Sequence, residues 1–252
     1  MRRLLALVAA CLLLAAAPAL PPAAQPISRL ELPWWQARHE EKRAEIHAGG
    51  IDLVLLGDSI TQDYEQAGPE PFRDFRAVWQ RFYAQRHAVD LGFSGDATSH
   101  LLWRIEHGEI DGIAPKAAVI LIGANNLGRL HWSATDTVTG IAAVVDEVRR
   151  RLPHTGIVLL GVLPSGRGAW VEQTTKAINA ALAARYGAGR VAGVTYLDVS
   201  GVFLSNGRLD DSLFFDPKLT PPQPALHPSP EGQARMAAAI EPTLRKLLGE
   251  AP

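Results

Sequence analysis

Five short apolar runs punctuate the chain, at residues 53–56, 88–91, 117–122, 157–160 and 194–197. Each is four to six residues long and bounded by glycine, proline or a polar turn, as buried strands are. Between and after them, apolar residues recur three and four positions apart, which predicts helices over 71–85, 98–106, 135–152, 170–184 and 231–248. Strand alternates with helix, so the sheet should be parallel, with helices on both faces. There is no internal repeat and no second apolar core. The 252 residues suffice for one α/β domain with a substantial interior.

The N-terminus departs from this pattern. Met1-Arg2-Arg3 precedes an apolar run over 4–14, and Ala15 to Ala19 supplies small residues for cleavage. This is the layout of an export signal, too short for a bilayer span with proper flanks. Pro21, Pro22 and Pro26 are expected to keep the following stretch from folding. The expected organisation is a signal and leader over 1–26, an arm over 27–50 and a catalytic-sized domain over 51–252, placed in the periplasm or secreted. Cys11 is the only cysteine. Val8-Ala9-Ala10-Cys11 resembles a lipoprotein cleavage box, but the apolar run continues past it, so the cysteine is expected to leave with the signal. The mature chain then has no disulfide, thiol nucleophile or thiolate metal site.

The arm opens on Pro33-Trp34-Trp35. Residues 35–47 read as an exposed helix packing through Trp34 or Trp35 and Ile46; stacking of the paired tryptophans on a sugar is the alternative. The formal net charge is −1, with no basic tract. That leaves no electrostatic footprint for a nucleic-acid partner. No later segment is apolar enough for stable membrane insertion.

The chemistry gathers at the strand ends. The first strand runs into Gly57-Asp58-Ser59, the second into Gly92-Phe93-Ser94-Gly95-Asp96, the third into Gly123-Ala124-Asn125-Asn126. Parallel strands all end at one edge of the sheet, where ligands of open α/β folds bind. Ser59 is thereby a candidate nucleophile, although a serine in that position is also an ordinary helix cap. The backbone N–H groups of Ser59 and Gly92 and the amide of Asn125 are candidates for an oxyanion hole. His227 lies in a proline-rich loop over 216–230, entering the last helix, and is the candidate base. The glycine turns lack the lysine of a phosphate-binding loop, and no metal-ligand spacing is present. No cofactor or metal is called for.

Taken together, these blocks resemble the SGNH, or GDSL-like, hydrolase superfamily. Gly57-Asp58-Ser59-Ile60 matches its first block, Gly92 in Leu91-Gly92-Phe93-Ser94-Gly95-Asp96 its second, Gly123-Ala124-Asn125-Asn126 its third and His227-Pro228 its fifth. The second block has the flavour of the platelet-activating-factor acetylhydrolase-like branch. The resemblance implies a three-layer α/β/α sandwich of flavodoxin-like type with five parallel strands. It also implies metal-free hydrolysis of short acyl esters, acetyl foremost, by a serine, on a small-molecule or oligosaccharide substrate. One position departs: Pro224 stands where the family places an aspartate three residues before the histidine. Asp216 is the preferred substitute, with Asp198 and Asp211 as further candidates; the alternative is a Ser-His dyad held by a backbone carbonyl. A lysophospholipase, a thioesterase or a non-catalytic carbohydrate-binding protein would share the fold.

Overall fold

The computed structural model describes residues 19–251. Residues 1–18 of the expected signal and leader, Cys11 among them, lie outside them. β1 (Leu53–Gly57), β2 (Ala88–Gly92), β3 (Ala117–Leu121), β4 (Gly156–Leu160) and β5 (Val194–Leu197) form one sheet in the order β2-β1-β3-β4-β5, every neighbouring pair parallel. The helices are α1 (Pro33–Ala48), α2 (Ser59–Gln62), α3 (Arg76–Phe82), α4 (Thr98–Glu106), α5 (Ala124–Gly128), α6 (Ala134–Arg151), α7 (Ala169–Tyr186) and α8 (Pro230–Leu248). A small antiparallel hairpin, β6 (Leu204–Ser205) with β7 (Arg208–Leu209), follows β5.

Alternation along the strands divides the core into two layers. Val54 and Leu56 of β1, with Leu91, Ile120 and Leu159, pack against α4, α6 and α7. Leu53 and Leu55, with Val119, Leu121 and Leu160, pack against α3 and α8. Both faces of each strand are covered, which is why the strands read as unbroken apolar runs rather than as alternation. This is the three-layer α/β/α sandwich expected from the sequence.

Two expectations are revised. The helix expected over 71–85 is broken into a 3₁₀ turn at Pro71–Arg73, α3, and a second 3₁₀ turn at Ala84–Arg86. Asp74 between the first two is extended (φ −102°, ψ 103°), and its carboxylate takes the Arg76 N–H at 3.2 Å, so the new helix starts there. The proline-rich stretch after residue 20 is also ordered. Pro22–Ala24 forms a 3₁₀ turn with Ala23 and Ala24 buried. The Ala23 carbonyl accepts the Thr98 hydroxyl at 2.7 Å, and the Ile27 N–H reaches the Ser99 carbonyl at 3.1 Å. Proline at the start of a 3₁₀ turn has no N–H to lose, so here it favours local structure.

In the arm, Trp35 and Ile46 of α1 are buried and Trp34 is left exposed. Trp35 Nε1 donates to Asp96 Oδ1 at 2.9 Å, tying the arm to the turn after β2.

Candidate active site

β1 ends at Gly57, and Asp58 caps the four-residue α2 by accepting the Ile60 N–H on Oδ1 at 3.0 Å. Ser59 is the first residue of α2, half-buried, at the C-terminal edge of the sheet. Its Oγ lies 2.9 Å from His227 Nε2. His227 Nδ1 lies 2.6 Å from Asp216 Oδ1. The other oxygen, Asp216 Oδ2, accepts the backbone N–H of Leu226 at 2.8 Å and of His227 at 2.5 Å. Asp216 begins a 3₁₀ turn at Asp216–Lys218, and its own carbonyl accepts the Gln223 N–H at 3.0 Å, closing the proline-rich loop on itself. Phe215 stacks on the imidazole, with ring centroids 5.3 Å apart and planes 11° apart. The ring is thus held on its face, at both nitrogens and at its backbone.

Pro224 is exposed in that loop. Of the substitutes considered for the absent aspartate, only Asp216 reaches the ring. Asp198 accepts the Ser200 N–H at 2.9 Å instead, and Asp211 is exposed at the start of another turn.

The sequence-expected donor at Gly92 is corrected by a count of the turn's N–H groups. Gly92 donates to Asp90 Oδ1 at 2.7 Å, Phe93 to the Gly57 carbonyl at 3.2 Å, Ser94 to Gln62 Oε1 at 2.7 Å and Asp96 to the Phe93 carbonyl at 3.1 Å. Gly95, at φ +78°, is the one residue of the turn whose N–H makes no hydrogen bond within the described residues. Gly92 is needed for space: a β-carbon there would collide with the Gln62 N–H at the end of α2.

Asn125 is buried, and its Nδ2 donates to the Asp96 carbonyl at 3.0 Å, with Asp58 Oδ2 more distant at 3.4 Å. The amide is thereby aimed from β3's end at the turn that follows β2. That turn rests on a buried ion cluster. Arg104, fully buried, donates from Nε to Asp96 Oδ2 at 2.8 Å and from Nη2 to the Gly57 carbonyl at 3.1 Å, and it also pairs with Glu109. Its guanidinium sits 3.9 Å from the Phe93 ring centroid. One side chain therefore ties the ends of β1 and β2 together. Periodicity gives no signal for such a cluster, and the sequence reading missed it.

Four ionisable groups meet here. Burial pushes the Asp58 carboxyl up to about 6 and the Asp63 carboxyl up to about 7. Asp63 lies just beyond α2, and its Oδ2 is buried without a hydrogen-bond partner. Burial alone would lower the His227 imidazole, but the Asp216 bond and the charges of Asp63, Asp216 and Asp58 outweigh it, so its pKa stands above the ordinary 6.5. Burial would likewise raise Asp216, but its bond to His227, the charge of that ring and the two backbone N–H groups hold it below its ordinary value.

A cavity of about 740 Å³ opens nearby between α7 and the β6–β7 hairpin, lined by Pro164, Thr175, Asn179, Asp198 and Leu209 among others. None of Ser59, Asn125 and His227 lines it. Gly166, in its lining, donates its N–H at 2.8 Å to the carbonyl of Ala225, in the loop that carries His227. Among the described residues no group of three or more His, Cys, Asp or Glu side chains is arranged to hold a metal. No described helix is long and apolar enough to cross a membrane.

The chain is similar to known proteins over most of its length. The family model of GDSL-like lipases and acylhydrolases matches residues 55–235. The human platelet-activating factor acetylhydrolase IB subunit alpha2 is 28% identical over 221 residues, 86% of each chain. Among solved structures, a GDSL-like lipase from Bacteroides thetaiotaomicron superposes with a TM-score of 0.63 at 18% identity, covering 83% of this chain and 98% of that one. A carbohydrate esterase family 3 protein from Talaromyces cellulolyticus gives 0.59 at 17% identity, covering 80% and 100%.

Proposed function

The chain belongs to the GDSL-like lipase/acylhydrolase family and is an ester hydrolase; from that premise we propose that it is an exported serine esterase that removes short acyl groups, acetyl above all, from an alcohol. The observation that carries the reading is the unbroken chain from Ser59 Oγ to His227 Nε2 (2.9 Å) and from His227 Nδ1 to Asp216 Oδ1 (2.6 Å). In this reading His227 takes the Ser59 proton as Oγ attacks the ester carbonyl. Charge developing on the carbonyl oxygen is met by the N–H groups of Ser59 and Gly95 and by the second amide N–H of Asn125, whose one acceptor, Asp58 Oδ2, is distant at 3.4 Å. The imidazolium, held by the Asp216 carboxylate, then protonates the departing alcohol. Water, activated by the same histidine, releases the acyl group as its acid and restores Ser59.

The acetyl preference is supported by the similarity over most of the chain to proteins named acetylhydrolases. Export is supported by the residues of the N-terminal segment. A carbohydrate alcohol is supported by Trp170, 44% exposed and set against His131 at a centroid distance of 5.4 Å, the kind of flat exposed surface on which a sugar ring packs. The Asp216 carboxylate on the imidazole supports catalysis over mere carbohydrate binding.

The test is a panel of p-nitrophenyl esters of rising acyl length, with acetylated xylan and xyloglucan oligosaccharides. Turnover should be highest for acetyl and fall steeply with chain length. A maximum at long acyl chains would contradict the short-acyl reading.

A further inference from the structure

Around the turn after β2, cations are paired. Arg29 and Arg104 bind Asp96, and Arg38 binds Glu65. Beside Asn125 and Gly95, two guanidinium groups are exceptions. Arg129 follows α5, the helix that carries Asn125. Its Nη1 lies over Gly95, where a β-carbon would collide with it, so the bare backbone of that turn is what admits it. The side chain belongs to an exposed residue and makes no hydrogen bond or ion pair among the described residues. Arg167 comes from the loop after β4 and packs on the bare backbone of Gly128. It donates to the Ala124 carbonyl and to Ser165 Oγ, each at 3.1 Å, and meets no carboxylate within ion-pair distance. Burial lowers its pKa against the opposing charges of Asp58 and Asp216, but a guanidinium stays cationic.

The nearest carboxylates do not pair with the two cations: Asp58 accepts the Ile60 N–H, Asp216 is committed to His227, and both act on Arg167 only from beyond ion-pair distance. Two planar donor forks therefore flank Asn125 and Gly95 without a protein acceptor for their charge. Such forks match the two oxygens of a carboxylate or a phosphate. An acetyl group has no charge to offer, so the anion must sit in the alcohol.

Resting on the esterase reading above, we infer that the ester is borne by an alcohol that also carries an anion, a carboxylate or a phosphate, held by Arg129 and Arg167. Contacts of this kind act alike on substrate and transition state, so they lower KM and leave kcat almost unchanged. They also steer the substrate toward the site, an effect that salt screens.

The test compares 4-acetoxybenzoate and 4-acetoxyphenyl phosphate with neutral 4-acetoxybenzamide, each rate normalised to the hydroxide-catalysed hydrolysis of the same ester. In low salt an anionic ester should exceed the neutral one in kcat/KM by about tenfold, through KM, and the ratio should fall in 1 M salt. Which anion gains more identifies carboxylate or phosphate. Arg129→Glu and Arg167→Glu should bring the ratio to one or below, and Arg129→Lys should retain part of it. A ratio of one or less in the unaltered protein, or one unmoved by both charge reversals, overturns the inference. If the neutral ester turns over without preference, the inference falls and the esterase reading stands; if no ester turns over, both fall.

Discussion

Asp216 grips His227 twice: Oδ1 meets the ring at Nδ1, 2.6 Å away, and Oδ2 accepts the backbone N–H of the same residue. The carboxylate lies eleven residues before the histidine. It therefore reaches the ring by a folded loop, not from the position three residues upstream that Pro224 fills. The loop's prolines and the Gln223 N–H on the Asp216 carbonyl supply the fold that makes this possible.

Asp216→Asn should cut kcat by about a thousand- to ten-thousandfold, because an amide cannot stabilise the imidazolium and favours the wrong tautomer. Its Oδ1 or Nδ2 still fills the space, so the melting temperature should move little. Kinetics with p-nitrophenyl acetate and a thermal melt check both halves. Near-normal kcat in this variant would leave the ring held by backbone alone.

Asp63 should govern the pH behaviour of the site. Its carboxyl, at about 7 against an ordinary 3.8, is protonated in the folded protein where the unfolded chain has released the proton. The native state therefore loses stability as pH rises from about 4 through about 7. Asp63→Asn cannot ionise, so its melting temperature relative to the unaltered protein should climb over that range and be highest at pH 8. The His227 pKa is raised partly by the Asp63 charge, with Asp216 and Asp58 acting the same way. Removing that charge should shift the acid limb of kcat/KM to lower pH. Melts at several pH values and a pH–rate profile read the two effects separately.

Arg104→Met should destabilise the fold by about 3–5 kcal/mol, since it leaves Asp96 and Glu109 buried without their cation. Chemical denaturation measures the loss. Combining it with Asp96→Asn and Glu109→Gln should recover part of the stability, because the orphaned charges are then gone.

Apolar spacing is enough to read the sheet and its covering helices: β5 and α4 coincide with the residues expected from the sequence, and the long helices differ by one or two residues at their ends. Ser59, Asn125, His227 and Asp216 are legible as candidates because strand ends and a proline-rich loop mark them. The choice between Gly92 and Gly95 is not legible. It depends on which N–H groups the side chains of Asp90 and Gln62 already occupy, and those contacts form only in the folded chain. The docking of Pro22–Ala24 escapes for a related reason, since three residues are too few to show a period. Arg104 and its partners escape because charges read as surface until the fold buries them.

The central claim is that Ser59 is the nucleophile, and labelling with a fluorophosphonate tests it most directly. The reagent should inactivate the enzyme with one-to-one stoichiometry and add its phosphonyl mass to the peptide containing Ser59, while Ser59→Ala should neither label nor turn over p-nitrophenyl acetate. Esterase activity that survives Ser59→Ala, or a label on another residue in step with inactivation, would contradict the account.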